Sequence, residues 1–223
     1  MNTHAIPLSS TTPHPVRLRV TPALDGRNRL TTAFRLILAI PHLILVGGPI
    51  AAFITWSGNE SSRADHSIGA GGILGAAAFV CAVIAWFAIV FTGRAPDGLA
   101  RLSAFYLRWR VRSSAYVALL RDEYPPFGEA PYPVELDLPV PLEPRDRLTV
   151  AFRPILALPH LVIVWLLGFA WGAITIFAWF AILFTGRYPA ALYHLAVGAL
   201  RWTTRVEAYL LLLTDAYPPF TLD

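Results

Sequence analysis

A chain of 223 residues with 56% hydrophobic and only 14% charged residues, and a mean hydropathy of +0.54, departs from the usual soluble mixture of roughly 25% charged residues. Its single cysteine, Cys81, excludes an intrachain disulfide framework and a thiolate metal site. The net charge of +4 rests on arginine alone, lysine being absent, and its placement follows membrane topology, so nucleic-acid binding gains no support.

Residues 1–14 are rich in Ser, Thr and Pro and carry neither a basic nor an apolar leader region, which predicts a disordered tail rather than a cleaved signal peptide. Val16, Leu18 and Val20 then alternate with Arg17 and Arg19. Much later, Val134, Leu136, Leu138 and Val140 alternate with Glu135 and Asp137. Period-two patterning predicts half-buried strands, and the opposite charges suit cross-strand pairing. A small antiparallel ribbon between the two segments is expected.

The chain repeats itself. Arg29-Leu30-Thr31-Thr32-Ala33-Phe34-Arg35 returns as Arg147-Leu148-Thr149-Val150-Ala151-Phe152-Arg153, Pro41-His42-Leu43 as Pro159-His160-Leu161, and the Trp-Phe-Ala-Ile-x-Phe-Thr-Gly-Arg run at 86–94 as 179–187. Both copies close on Tyr-Pro-Pro-Phe, at 124–127 and 217–220. Repeat one is read as 15–127 and repeat two as 133–220.

Apolar runs at 36–56 and 68–91 have the length to cross a core of about 30 Å, with the polar loop Ser57–Ser67 between them. Arg35 and Arg153 are 118 residues apart but Trp86 and Trp179 only 93, so copy two is 25 residues shorter here. Matching copies then require a tight hairpin near Gly168, with two spans of about 18 residues; the alternative is one strongly tilted span or a re-entrant pair, and the arginine placement favours the hairpin. Seventeen of the eighteen arginines lie outside the 57–67 loop, so the positive-inside rule places both termini and the 94–147 segment in the cytoplasm. The expected fold is an all-α integral membrane protein: a duplicated transmembrane helical hairpin (four spans), an amphipathic interfacial helix per repeat, and the β ribbon. An even number of spans per copy implies parallel repeats about an axis along the membrane normal.

The Thr-Gly-Arg triplets at 92–94 and 185–187 predict helix stops. Helices over about 97–121 and 190–214 follow, with Arg101, Arg108 and Arg112 matched by His194, Arg201 and Arg205 on one face. Asp146 or Thr149 suits the cap of the helix after Arg147. Tyr-Pro-Pro-Phe reads as a rigid terminating turn in preference to a polyproline docking motif.

The runs Arg-Leu-Thr-x-Ala-Phe-Arg, Pro-His, Trp-Phe-Ala-Ile-x-Phe-Thr-Gly-Arg and Ala-Tyr-x-x-Leu-Leu-x-Asp-x-Tyr-Pro-Pro-Phe together resemble a bacterial family catalogued as domain of unknown function 4389. The resemblance covers both copies; copy one departs by its long 57–67 region and by Ala95 where copy two has Tyr188. It implies a bacterial inner-membrane protein and brings no activity or catalytic residues.

Three sets of residues are candidate sites. His42 and His160 lie inside apolar segments, where an ionisable group is a functional candidate. They are read either as packing beside a helix proline or as a symmetry-related pair that binds haem or metal or passes protons. Arg108, Arg112, Arg201 and Arg205 suit lipid phosphates or plain anchoring of the helices. Arg35 with Asp122, and Arg153 with Asp215, are expected as ion pairs tying each amphipathic helix back to its first span. No catalytic motif emerges, so neither an enzyme nor a cofactor is expected. The leading expectation is a scaffold or accessory subunit of the bacterial cytoplasmic membrane, presenting an arginine and aromatic surface to anionic lipid or to a partner complex, including a second copy. The alternatives are a small transporter or channel subunit built on the His42/His160 region, and a haem- or metal-binding redox protein.

Overall fold

A computed structural model describes residues 14–48, 63–139 and 144–222. The expected tail up to residue 13, the loop from Ser57 to residue 62, and Val140 lie outside the described residues. The elements in chain order are β1 (Arg17–Val20), α1 (Arg29–Ala33), α2 (Arg35–Val46), α3 (Arg63–Thr92), α4 (Asp97–Val117), β2 (Val134–Asp137), α5 (Arg147–Thr185) and α6 (Ala190–Leu210). The chain is mostly helical, and two stretches, Gly71–Thr92 and α5, are long and apolar enough to cross a membrane.

The ribbon forms as its alternation requires. β1 and β2 pair antiparallel with Arg17 opposite Asp137, Leu18 opposite Leu136, Arg19 opposite Glu135 and Val20 opposite Val134. Val16, Leu18, Val134 and Leu138 point into the core, and the charged residues between them face outward.

The helical hairpin in copy two does not form. α5 runs unbroken for 39 residues, through Pro154, Pro159 and Gly168, to a left-handed cap at Gly186. A lone glycine costs a helix about 1 kcal/mol relative to alanine. A turn at Gly168 would expose several unpaired backbone groups among apolar side chains, which costs more. The two spans expected of copy two are therefore replaced by one long helix.

Copy one holds the same long helix with an insertion. α1 and α2 supply its first half, and the chain returns at Gly72, where α3 breaks with φ of +67°. A Cβ at Gly72 would stand 2.5 Å from the Gly47 nitrogen and 2.6 Å from the Leu45 carbonyl, so the inserted residues leave and re-enter at one point. Downstream, Ala78, Tyr106, Trp109 and Val46 share one cluster, and the stretch after Gly72 continues along α4 where α2 left off. Gly72→Ala is expected to cost about 2 kcal/mol, from left-handed backbone and backbone overlap, seen as a lower midpoint in thermal unfolding of the detergent-solubilised protein.

The two long helices run in opposite directions. Trp86 Nε1 donates to the Val150 carbonyl at 2.9 Å, and its counterpart Trp179 Nε1 donates to the Thr32 carbonyl at 3.0 Å. Backbone bonds repeat the exchange at both ends: Arg145 N–H to Gly93 O at 2.8 Å, and Arg27 N–H to Gly186 O at 3.0 Å. The same-direction spans expected of an even count per copy are thus corrected to an antiparallel pair about a dyad perpendicular to the helices.

Above this pair, α4 lies along α2 and α3, α6 lies along α5, and α4 touches α6. The ribbon covers them, β2 against α4 and β1 against α6. Leu107, Val111, Ala115, Ala178, Ile182, Ala196, Ala199 and Leu213 form the main core between the layers. The outer side of the long helices is uncovered. Every exposed side chain of α5 from Phe152 to Phe184 is apolar, and the same holds from Phe34 to Ile44 and from Ile73 to Phe91.

Local signals set the helix ends. The Asp146 carboxylate accepts from Leu148 N–H at 3.0 Å and from the Thr149 hydroxyl, and these bonds, the Thr149 one foremost, hold its carboxyl below the usual range. Asn28 caps α1 in the same place. Gly93 and Gly186 stop the long helices with positive φ, as the Thr-Gly-Arg triplets predict. α4 and α6 end four residues earlier than expected, because Leu119 and Leu212 adopt φ near +60° and the next amides bond back to Ala115 and Ala208 in the manner of a Schellman turn.

Candidate functional site

The expected ion pairs are formed, and each is larger than a pair. Asp122 Oδ1 accepts from Arg35 at 2.6 Å and from Arg27 at 2.8 Å. Asp215 accepts from Arg153 and Arg145 in the same way. The guanidiniums also saturate the carbonyls left open where α4 and α6 end: Arg35 donates to Arg121 O at 2.8 Å, Arg153 to Thr214 O at 3.0 Å, and Arg145 to Leu212 O at 2.6 Å. Tyr116 and Tyr209 stack under Arg35 and Arg153, with ring centroids 4.1 and 4.4 Å from the guanidinium carbon. Each cluster ties the start of a long helix to the end of its short partner.

The two histidines do not come together. His42 is enclosed by Trp109, Tyr124 and Phe127, with Phe127 stacked 4.6 Å away. His160 is enclosed by Trp202, Tyr217 and Phe220. The Tyr-Pro-Pro-Phe turns thus fold back as lids on the imidazoles of their own copies. The symmetry-related pair that the alternative reading (haem, metal or proton transfer) requires is not assembled, and among the described residues no three His, Cys, Asp or Glu side chains gather as metal ligands. The cages differ in one bond. Trp109 Nε1 donates to His42 Nδ1 at 3.0 Å, whereas Trp202 Nε1 and both His160 nitrogens lack a partner. His42→Leu should therefore cost about 1–2 kcal/mol more than His160→Leu, since it alone strands a buried donor; paired unfolding curves in detergent measure the gap.

The four lipid-contact candidates are engaged with the chain itself. Arg108 pairs with Glu129 at 3.1 Å, Arg112 donates to Gly128 and Ala130 carbonyls at 2.9 and 3.0 Å, and Arg201 donates to Leu18 O at 3.3 Å. Arg205 is half-buried beside His14. All four serve the ribbon side of α4 and α6. A cleft of about 680 Å³ opens there, lined by Arg19, Arg108, Arg112, Glu129, Tyr132 and Glu135 among others.

One feature escapes the repeat pattern. Arg110 donates to Glu207 at 2.9 Å across the α4–α6 contact and to the Val46 carbonyl at 3.0 Å. Its counterpart is Thr203, and that of Glu207 is Ser114. Val46 ends α2 at the insertion, so copy one has an open helix end to satisfy and copy two has none. A cavity of about 100 Å³ beside the pair is also lined by Ser114, Thr203 and Thr204.

The family of domain of unknown function DUF4389 matches residues 68–128 and 147–221, more than half of the chain and once in each copy. The chain belongs to the DUF4389 family. In copy two the DUF4389 match opens with α5 and closes over the aromatic lid; in copy one it begins only past α2, near the return point of the insertion. No curated protein and no solved structure matches. The residues shared by both DUF4389 segments include Asp122 and Asp215, the aromatic lids and the Thr-Gly-Arg stops.

Proposed function

We propose that this protein is a non-enzymatic scaffold or accessory subunit of the bacterial cytoplasmic membrane. It buries the outer faces of its long helices in hydrocarbon and holds the charged ribbon layer in cytoplasmic water for a partner. One observation carries the reading: the exposed surface of three helical stretches contains no polar side chain from Phe34 to Ile44, from Ile73 to Phe91 and from Phe152 to Phe184. Uncovered apolar surface of this extent marks a membrane or protein contact. The ribbon-side cleft, with arginines and glutamates interleaved around Tyr132, supports a polar partner at that layer.

The test is native-lipid purification of the full chain from a bacterial host, with alkaline carbonate extraction of the membranes. Retention in the extracted pellet is expected, together with a partner lost on Arg19→Glu/Arg108→Glu. Release into the supernatant would remove the membrane part, and a partner unaffected by the double charge reversal would remove the ribbon-side part.

A further inference from the structure

We infer that the two long helices lie flat within one leaflet, their axes parallel to the membrane surface and their uncovered faces against the acyl chains of that leaflet alone. This rests on the membrane reading above and goes beyond it.

Length excludes the upright alternative. The apolar face of α5 from Phe152 to Phe184 measures about 50 Å at 1.5 Å per residue, against a core of about 30 Å. Fitting it between two interfaces needs a tilt of roughly 50°, beyond the 0–40° range of spanning helices. A single helix, about 10 Å across with its side chains, fits within half the core.

The second layer decides the same way. α4 and α6 lie along the long helices and the ribbon sits over them. Upright, Arg17, Arg19, Glu135, Asp137, Arg108 and Arg112 would stand at mid-depth, where each charge costs about 2.5–3.5 kcal/mol on insertion scales. Flat, all of them stay in water. The amphipathic layering then resembles that of an interfacial helix, apolar below and charged above.

The ends agree. The dyad makes them alike: exposed Arg29 stands beside Gly186 and Arg187, and exposed Arg147 beside Gly93 and Arg94. An upright molecule would therefore carry no cationic asymmetry between its ends, contrary to the positive-inside rule. A flat one places these four arginines around the rim of the apolar slab at headgroup depth. A cavity of about 460 Å³ between α3, α5 and the end of α6, walled by Phe79, Val83, Trp86, Pro154 and Leu211, with Arg153 at its edge, belongs to the same slab and suits an acyl chain.

The experiment uses the full chain with Cys81→Ala, in native membranes. Arg94→Cys and Arg187→Cys, at opposite ends of the molecule, are treated with a membrane-impermeant maleimide in right-side-out and inverted vesicles. Both should label at least tenfold faster from the same side; labelling from opposite sides would overturn the inference. Spin labels at Phe152, Leu166 and Phe184 then report depth. Equal oxygen-to-nickel accessibility ratios, within about twofold, are expected, and a profile with Leu166 far deeper than its neighbours means spanning. If neither cysteine reacts, the depth profile decides alone. Recovery of the protein in the soluble fraction would end both this inference and the membrane reading, whereas opposite-side labelling ends only this one.

Discussion

Replacing Asp215 with asparagine should destabilise the fold by about 3 kcal/mol, the expected cost of stranding buried charges whose partner is removed. Arg145 and Arg153 are each 2% exposed at the side chain and share this one carboxylate. Without it two guanidiniums face each other with only carbonyls and the Tyr209 ring to offset them. Asp122→Asn should behave alike, since Arg27 and Arg35 are 1% exposed. The control is Asp25→Asn, whose pair with Arg187 is about three-quarters exposed on both sides and worth less than about 0.5 kcal/mol. Thermal unfolding in detergent, and membrane abundance in cells, provide the readouts. Equal effects for Asp215 and Asp25 would refute the cluster's role. Acid adds a second readout. Burial pushes the Asp215 carboxyl up, but the hydrogen bonds and charges of Arg145 and Arg153 outweigh it and hold the group below its usual value. A depressed folded value means stability that is complete above the unfolded pKa of about 4 and lost as pH falls through the folded one. The wild type should hold its stability from pH 7 to 5, and Asp215→Asn should lose part of the acid-induced drop below that window.

The ribbon was legible because its signal is local: alternation every second residue, with arginines in one strand and carboxylates in the other. Arg35 with Asp122 and Arg153 with Asp215 were legible because residues recurring at matched places in both copies share one physical job. That same signal extends to Arg27 and Arg145, which flank the repeated Arg-Leu-Thr run at equal spacing. The unbroken α5 is legible only as the less favoured alternative to the hairpin. Hydropathy reports that a stretch is apolar, not whether it turns, and a repeat that differs by 25 residues invites the excess to be placed in a loop. Here it interrupts a helix. The pairing of Arg110 with Glu207 was hidden for the opposite reason, since it sits where the copies differ. The left-handed Leu119 and Leu212 run against leucine's own preference, so burial and the flanking arginines, not propensity, hold them there.

Two aspartates on the outer face of α5, Ile155→Asp with Phe177→Asp, should drive the protein off the membrane. Both side chains are more than 60% exposed, so neither change opens a cavity or breaks a packing contact of consequence. In water the pair is close to neutral for folding, within about 0.5 kcal/mol each, and raises solubility. In hydrocarbon each costs about 2.5 kcal/mol or more. The two environments therefore predict opposite outcomes from one substitution: a soluble fold gains yield in the supernatant, while a membrane-embedded one loses most of its abundance in the pellet, with aggregation or proteolysis of the remainder. Glu135→Lys on the ribbon should leave the distribution between pellet and supernatant within about twofold of wild type, because that layer stays in water under either outcome. The contrast between the faces, rather than either variant alone, identifies which solvent each layer meets. If the aspartate pair instead sheds the protein from the membrane intact and monomeric, the apolar slab is an embedded surface whose loss the buried arginine clusters survive, and anchoring and folding are separable in this chain.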